Sequence, residues 1–190
     1  MDSRQPGMLS DDDLISLIVT KNQRDYFGFL YNRYREKVFD KCYSLLKNRD
    51  QAEEFTEDIF SKVYEKLPSF GRRSSFSSWL YSVTYNHCID YLRNKKKLHY
   101  PEWNAQNELP EIIDESEENL SEIRYGNLMQ ILEKIHPEEK ALLLMKYHDN
   151  LSLKEIGLAL RISESVAKMR IKRAKARVLY LYKQQFKNDI

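Results

Sequence analysis

Aromatic rings and cations alternate between Ser69 and Lys97, and this combination suits binding to single-stranded nucleic acid. The residues concerned are Phe70, Arg72, Arg73, Trp79, Tyr81, Tyr85, Arg93, Lys95, Lys96 and Lys97. Flat rings stack on unpaired bases for roughly 1–3 kcal/mol each, while Arg and Lys attract the phosphate backbone. The same spacing also fits ordinary helix packing, and we expect Trp79 and Leu80 to be largely structural.

Three polar residues in this stretch stand one helical turn apart. Asn86 precedes Asp90 by four positions, and Asp90 precedes Arg93 by three, so these side chains can form a small hydrogen-bonded network. The spacing leaves two roles open. The network can border a pocket for a base, or it can serve the helix alone.

A second candidate surface lies near the C-terminus. Ser152 precedes Glu155 by three positions, which is the spacing of a capping box and predicts a helix from about Leu153. The chain then breaks at 161–163, where Ser163 can cap a further helix. Two helices joined by so short a turn predict a helix-turn-helix.

The second helix of this motif has two unlike faces. Its inner face repeats at four- and three-residue spacing through Ala167, Ile171, Ala174, Val178 and Leu181. Its opposite face carries Ser165, Lys168, Met169, Lys172 and Arg173. Such a helix suits the major groove of duplex DNA, where side chains read bases and cations engage phosphates. The alternative is a solvated basic face on an ordinary bundle helix.

Periodicity in the rest of the chain predicts an all-α protein, with two small helical domains joined by an acidic linker and the helix-turn-helix in the second domain. The first domain should contain a helix from about Asp11, a long helix with Phe27, Leu30, Tyr31, Tyr34 and Val38 on one face, a third helix ended by Pro68, and a fourth from about Phe76 to Lys96. The predicted divisions are a tail at 1–10, a first domain at 11–98, the linker at 99–122 and a second domain at 123–190. Between Pro101 and Glu122 there are eight acidic residues and no Lys or Arg.

Composition argues against several classes of protein. Hydrophobic residues make up 42% and charged residues 32% of the chain, which indicates a folded protein with a strongly solvated surface. No apolar run approaches the roughly 20 residues that span a bilayer, and the Asp-rich start does not resemble a secretory signal, so we expect a cytoplasmic protein without membrane insertion. Cys42 and Cys88 lack ligand spacing and the four His are scattered. We therefore expect no metal, no cofactor and no enzymatic activity.

Three motifs, taken in order, resemble those of a known family. The stretch from Trp79 to Arg93 is similar to the WLYxIAxNxxxDxxR signature of extracytoplasmic-function (ECF) sigma factors, with Thr84 in place of the usual Ala. Ala52–Phe60 resembles their AEDxxQxxF segment, and Leu151–Val178 resembles their promoter-reading helix-turn-helix. The resemblance extends over most of the chain, from about Asp11 to Tyr182. In the last motif it includes Lys168, Arg170, Arg173 and Ala174.

The resemblance implies an alternative sigma factor that guides RNA polymerase core to particular promoters. The segment that binds the clamp helices of the largest polymerase subunit is matched by Glu53, Glu54, Glu57 and Phe60. The first domain would open the minus-ten element with Phe70, Arg72, Arg73, Trp79, Tyr81, Tyr85, Asn86, Asp90 and Arg93. In the family, the residues matching Phe70 and Asn86 border a pocket for a base flipped from the non-template strand.

The second domain would read the minus-thirty-five element of duplex promoter DNA. The residues implied are Ser163, Ser165, Lys168, Met169, Lys172 and Arg173. The acidic linker would lie along polymerase channels that normally hold nucleic acid. An anti-sigma factor is a further expected partner, because occluding either domain would silence the protein.

Departures from the family pattern bear on specificity. Glu54 and Glu57 replace the usual Asp and Gln, and Ser165–Ala167 replaces the usual Gly-Thr-Val. Without that Thr hydroxyl, one phosphate contact is either absent or supplied by Ser163 or Ser165. Arg161 stands at the turn, where Gly most easily adopts a left-handed conformation, and we expect a strain of about 1 kcal/mol there.

The runner-up interpretation is an ordinary helix-turn-helix regulator whose first domain serves dimerisation or ligand sensing. Such a protein binds a palindromic operator unaided. A sigma factor of the family described above would bind promoter DNA tightly only together with core polymerase, so the two interpretations predict different footprints.

Overall fold

A computed structural model describes residues 8–95 and 124–186, and every regular element in these two ranges is helical. The all-α expectation is therefore confirmed. The chain divides into two compact units, Met1–Leu92 and Arg93–Ile190. The predicted linker at 99–122, most of the predicted tail, and Lys96 and Lys97 lie outside the described residues. The predicted boundaries at 98 and 123 stay predictions.

The described residues of the first unit form α1 (Asp11–Thr20), α2 (Phe27–Leu46), α3 (Arg49–Lys66) and nearly all of α4 (Phe76–Asn94), whose last two residues fall beyond the boundary at Leu92. Helix α1 begins with a capping box, in which the Asp13 backbone N–H donates to Ser10 Oγ over 3.1 Å. Helix α2 ends at Lys47, which takes the left-handed conformation. Asn48 then caps α3 by accepting from the Gln51 backbone N–H over 2.9 Å, and a short 3-10 turn containing Pro68 follows the end of α3.

The core of the first unit forms where α2, α3 and α4 bring their apolar stripes together. Side chains with no more than 2% exposure include Leu14, Leu30, Val38, Ile59, Val63, Leu80 and Tyr85. Cys42 of α2 and Cys88 of α4, far apart in sequence, meet in this core with their sulfur atoms 3.7 Å apart. Both are buried free thiols, and the sequence spacing gave no sign of this contact.

Within residues 124–186, the second unit contains four α-helices: α5 (Tyr125–Leu132), α6 (Pro137–Leu143), α7 (Leu153–Leu160) and α8 (Glu164–Gln185). A π-helical turn, Leu144–His148, follows α6. The core cluster combines α5, α6 and α8 and consists of Ile131, Leu132, Ile135, Leu143, Ala174 and Val178. No helix in the described ranges is both long and apolar enough to cross a bilayer.

Helices α7 and α8 form the predicted helix-turn-helix. The predicted capping box starts α7, since the Glu155 backbone N–H donates to Ser152 Oγ over 3.2 Å and the Ser152 N–H donates back to the Glu155 carboxylate over 2.8 Å. Arg161 ends the helix with φ 56° and ψ 45°, the left-handed conformation that we expected. The chain then turns so closely over α7 that only Gly fits at position 157.

Candidate nucleic-acid interface

Helix α8 presents one buried and one polar face, as its periodicity predicts. Ala167, Ala174 and Val178 have no solvent exposure, and Ile171 has 6%. The residues predicted to read duplex DNA lie on the other side: Ser163, Ser165, Lys168, Met169 and Lys172 are exposed, and Arg173 is half-buried. The division into two faces is confirmed, and contact with DNA stays a prediction.

Two hydroxyls lie together at the start of α8. Ser163 Oγ accepts from the Val166 backbone N–H over 3.2 Å and lies 2.9 Å from Ser165 Oγ. A Ser165 hydroxyl that donates to a phosphate can still accept from Ser163, so the helix cap is kept. The positive end of the helix dipole also favours an anion here. Ser165 is thus the better placed of the two candidates for the phosphate contact.

The predicted strand-opening residues of α4 fall on two sides of the helix. At 100° per residue, Trp79, Asn86, Asp90 and Arg93 lie within an arc of about 60°, and all four are partly exposed. Tyr81 and Tyr85 lie on the opposite side, which faces α2. There the ammonium of Lys41 lies 4.1 Å from the Tyr81 ring centroid and 5.7 Å from that of Tyr85.

Three of the predicted contact residues are buried. Tyr85, Phe60 and Phe70 have 0%, 3% and 9% exposure, so Tyr85 cannot stack on a base without rearrangement, and Phe60 and Phe70 present only a small part of their rings to a partner. The Phe70 ring lies against the rings of Trp79 and Phe76, with centroids 5.0 and 6.0 Å away. In this structure these side chains pack beneath the surface and support it. The sequence did not reveal this, because helical spacing alone does not distinguish buried rings from exposed ones.

The predicted polar network on α4 is present in part. The Asn86 amide donates to the Asp90 carboxylate over 3.3 Å. Beside it, His87 Nδ1 lies 2.9 Å from the ammonium of Lys62 on α3, a contact that the sequence did not reveal. Burial, and then the charge of Lys62, lowers the pKa of His87.

The loop before α4 carries the two predicted arginines. Arg72 takes a left-handed conformation with φ 50°, and its guanidinium donates to the Asp12 backbone carbonyl over 3.5 Å. Arg73 is exposed. Both cations are therefore on the surface next to the ring cluster of Phe70 and Trp79.

The predicted partner-binding acids lie on the exposed face of α3. Glu53, Glu54 and Glu57 are all exposed. Glu57 is held by α2, because the Tyr31 hydroxyl donates to its carboxylate over 2.6 Å and the Arg35 guanidinium donates to the Tyr31 oxygen over 2.8 Å. Desolvation and the bond to Glu57 raise the pKa of Tyr31. The sequence did not point to Tyr31 and Arg35, since they come from a different helix.

An open depression lies next to this face of α3. Its lining includes the aromatic residues Phe27, Phe60 and Tyr64 together with Glu57. In residues 8–95 and 124–186, no group of three or more His, Cys, Asp or Glu could hold a metal ion. The features that these ranges offer for binding are therefore the acidic and aromatic surface of α3, the ring cluster before α4, and the basic face of α8.

Comparisons with known proteins match the two units in order. The family description "Sigma-70 region 2" matches residues 30–98, and "Sigma-70, region 4" matches residues 125–178. The ECF RNA polymerase sigma factor SigW of Bacillus subtilis (strain 168) is 29% identical over 166 residues, covering 83% of this chain and 89% of SigW.

Two solved structures share the fold. CnrH, in complex with the cytosolic domain of CnrY, has a TM-score of 0.60 and 18% identity, covering 92% of this chain and 98% of CnrH. The sigma factor RpoE of Bartonella quintana, in complex with the anti-sigma factor NepR, has a TM-score of 0.57 and 17% identity, covering 84% of this chain and 98% of RpoE.

Proposed function

This chain belongs to the sigma-70 family as an ECF sigma factor, an alternative factor for transcription initiation, and we propose that its two units recognise two different states of one promoter. The observation that carries the proposal is the pairing of unlike surfaces in family order. The first unit has a partly exposed stripe on α4 with Trp79 and Asn86, two surface arginines before that helix and exposed acids on α3, and the second has a helix-turn-helix with a basic outer face. Single-stranded and duplex DNA require such different surfaces.

In this proposal the first domain spans 11–98 and opens the minus-ten element. The exposed stripe of α4 with Asn86 and Asp90, together with Arg72 and Arg73, meets the separated strand, and the buried rings hold that surface in shape. The tail at 1–10 and the acidic linker at 99–122 flank this domain. The second domain, 123–190, reads the minus-thirty-five element with the exposed face of α8.

We assign polymerase binding to the exposed acids of α3. Glu53, Glu54 and Glu57 would face the clamp helices of the largest subunit of core polymerase, where carboxylates suit a basic partner. An anti-sigma factor is a further proposed partner, and the structure of RpoE named above is a complex with the anti-sigma factor NepR. A cytoplasmic location and the absence of catalytic activity complete the proposal.

Runoff transcription tests the proposal directly. The full chain is mixed with core polymerase of its own organism and genomic fragments, and start sites are mapped. The proposal expects new start sites that core polymerase alone does not use, and footprints that require the polymerase. A palindromic footprint by the chain alone, without redirected initiation, would favour the helix-turn-helix regulator instead.

Two variants separate the roles of the two units. Lys172→Ala should weaken binding to the upstream element, while Asn86→Ala should mainly reduce promoter opening. Lys66→Ala is the control, because it removes the same charge from an exposed position on α3. Equal activity of all variants in reconstituted transcription would refute these two assignments.

A further inference from the structure

The first turn of α6 contains three consecutive charged residues that are all buried. Glu138, Glu139 and Lys140 have 1%, 0% and 4% exposure. Charged side chains are almost never buried to this extent unless they are paired, so their partners show what they do.

Two of these residues hold α8, the helix with the exposed basic face. The Arg177 guanidinium donates to a Glu139 carboxylate oxygen over 3.2 Å. The Glu138 carboxylate is shared, because it accepts from Arg170 of α8 and also from the Arg93 guanidinium over 2.7 and 3.1 Å. Arg170 and Arg177 are seven residues apart, which is two helical turns or about 10 Å along one side of α8. Lys140 pairs instead with Glu133, just after the end of α5, over 2.8 Å.

The apolar contacts of α8 do not by themselves fix its rotation, so ion pairs can add to its positioning. Two of its buried positions are Ala167 and Ala174, and small side chains allow close approach but interlock weakly against sliding or rotation. Two charged anchors on the same side supply directional contacts that an alanine surface lacks. A rotation of α8 would break both and would also turn Lys168 and Lys172 away from their present direction.

A role in stability alone explains these pairs poorly. A well-packed apolar pair of similar volume is often as stable as a buried ion pair. One Glu139 oxygen has no hydrogen-bond partner in the described residues, and desolvation raises the pKa of Glu139 despite the nearby Arg177. These ion pairs are therefore better explained by their holding α8 in one orientation than by added stability.

We propose that Glu139 is a positioning residue, which through Arg177 fixes the rotation and register of α8, supported by the pair of Glu138 with Arg170, and thereby sharpens the discrimination of α8 among base sequences in the upstream promoter element. The inference rests on the proposed function of α8. It adds a specificity determinant on α6, a helix distinct from the one proposed to read the bases.

The test replaces one ion pair by a neutral pair of similar size. In the full chain, Glu139→Gln with Arg177→Met removes both charges, so neither is left buried alone, and thermal denaturation should give a stability close to wild type. The matched control is Glu133→Gln with Lys140→Met, which neutralises a second ion pair of α6 that does not involve α8. Holoenzymes are then assayed on a promoter found by start-site mapping and on each single-base variant of its upstream element.

Discrimination among these promoters is the decisive readout. The neutral Glu139 and Arg177 pair should lower the preference for the original element over its single-base variants by at least about fivefold at the most selective positions. The control pair should keep the wild-type profile. A wild-type profile in the stable neutral pair overturns the inference, and if that pair does not fold, Glu139→Gln alone serves with the same expected and contrary results. Failure of the wild-type holoenzyme to discriminate at all would instead count against the proposed function.

Discussion

Gly157 offers the sharpest test of how the helix-turn-helix is built. It lies in α7 with an ordinary helical conformation, yet a Cβ at this position would lie 2.7 Å from the backbone carbonyl oxygen of Ile162. The obstructing atom belongs to the backbone of the turn and not to a flexible side chain. Gly157→Ala therefore has to displace the turn itself.

The expected magnitude follows from two opposing effects. In an unobstructed helix, Gly→Ala stabilises by about 1 kcal/mol. Here the turn either stays in place at a cost of about 1–3 kcal/mol for overpacking, or moves. If it moves, it loses the 2.9 Å bond from the Ile162 N–H to the Gly157 carbonyl and disturbs the Ser163 cap, together about 2 kcal/mol. After the helical gain of about 1 kcal/mol is subtracted, the net destabilisation is about 0–2 kcal/mol if the turn stays and about 1 kcal/mol if it moves, so about 1 kcal/mol is expected.

Native-state hydrogen exchange can measure this change locally. Hydrogen-exchange protection of peptides from 153–178 should fall about fivefold, because 1.4 kcal/mol is a factor of ten and about 1 kcal/mol is expected, while protection of peptides from α2 should not change. Gly126→Ala in α5 is the control, since a Cβ there meets nothing within 4 Å, and its protection should be equal or higher. If the amides of 153–178 are as strongly protected in Gly157→Ala as in the wild type, the steric account of the turn is wrong.

Three further predictions concern stability. Arg161→Gly should raise the melting temperature of the second unit, equivalent to about 1 kcal/mol, because Gly relieves the left-handed conformation; a fall would show that Arg161 contacts outweigh strain. Asp11→Ala should destabilise the first unit by about 2 kcal/mol in urea unfolding, since Asp11 accepts from an Arg and a Tyr of α2, each over 2.5 Å, whereas Asp12→Ala should have little effect. Burial and Lys62 lower the pKa of His87 below its usual 6.5, so the unfolded chain binds this proton more readily. The contribution of neutral His87 to the free energy of unfolding is complete above pH 6.5 and is lost as the pH falls through the lowered pKa. His87→Gln should therefore make the free energy of unfolding less dependent on pH in this range.

Local signals in the sequence were sufficient to predict the helices. Ser152 and Ser163 cap the helices that they were predicted to start, because capping depends on residues three positions apart. Pro68 follows the end of α3 for an equally local reason, since the residue before proline avoids the helical conformation. The two faces of α8 were predictable from periodicity alone.

The contacts between helices were not predictable in this way. Tyr85 and Asn86 are neighbours in a single motif, yet one is buried and the other partly exposed, and only the packing of α4 on α2 decides which. The Cys42 and Cys88 contact and the pairing of Glu139 with Arg177 join different helices. A charge at the start of a helix normally indicates solvent, so a sequence pattern favours the wrong environment for Glu139.

The turn of the helix-turn-helix explains why a rule about glycine misleads here. Two separate requirements can call for glycine in such a turn: a left-handed backbone at the end of the first helix, and close approach of the chain to that helix. In this protein Arg161 meets the first requirement at φ 56°, whereas Gly157, with no unusual φ, meets the second. Backbone strain can be tolerated at about 1 kcal/mol, but a Cβ cannot overlap a carbonyl oxygen. Steric closeness is therefore the stricter of the two requirements, and glycine is kept where the chain passes over α7.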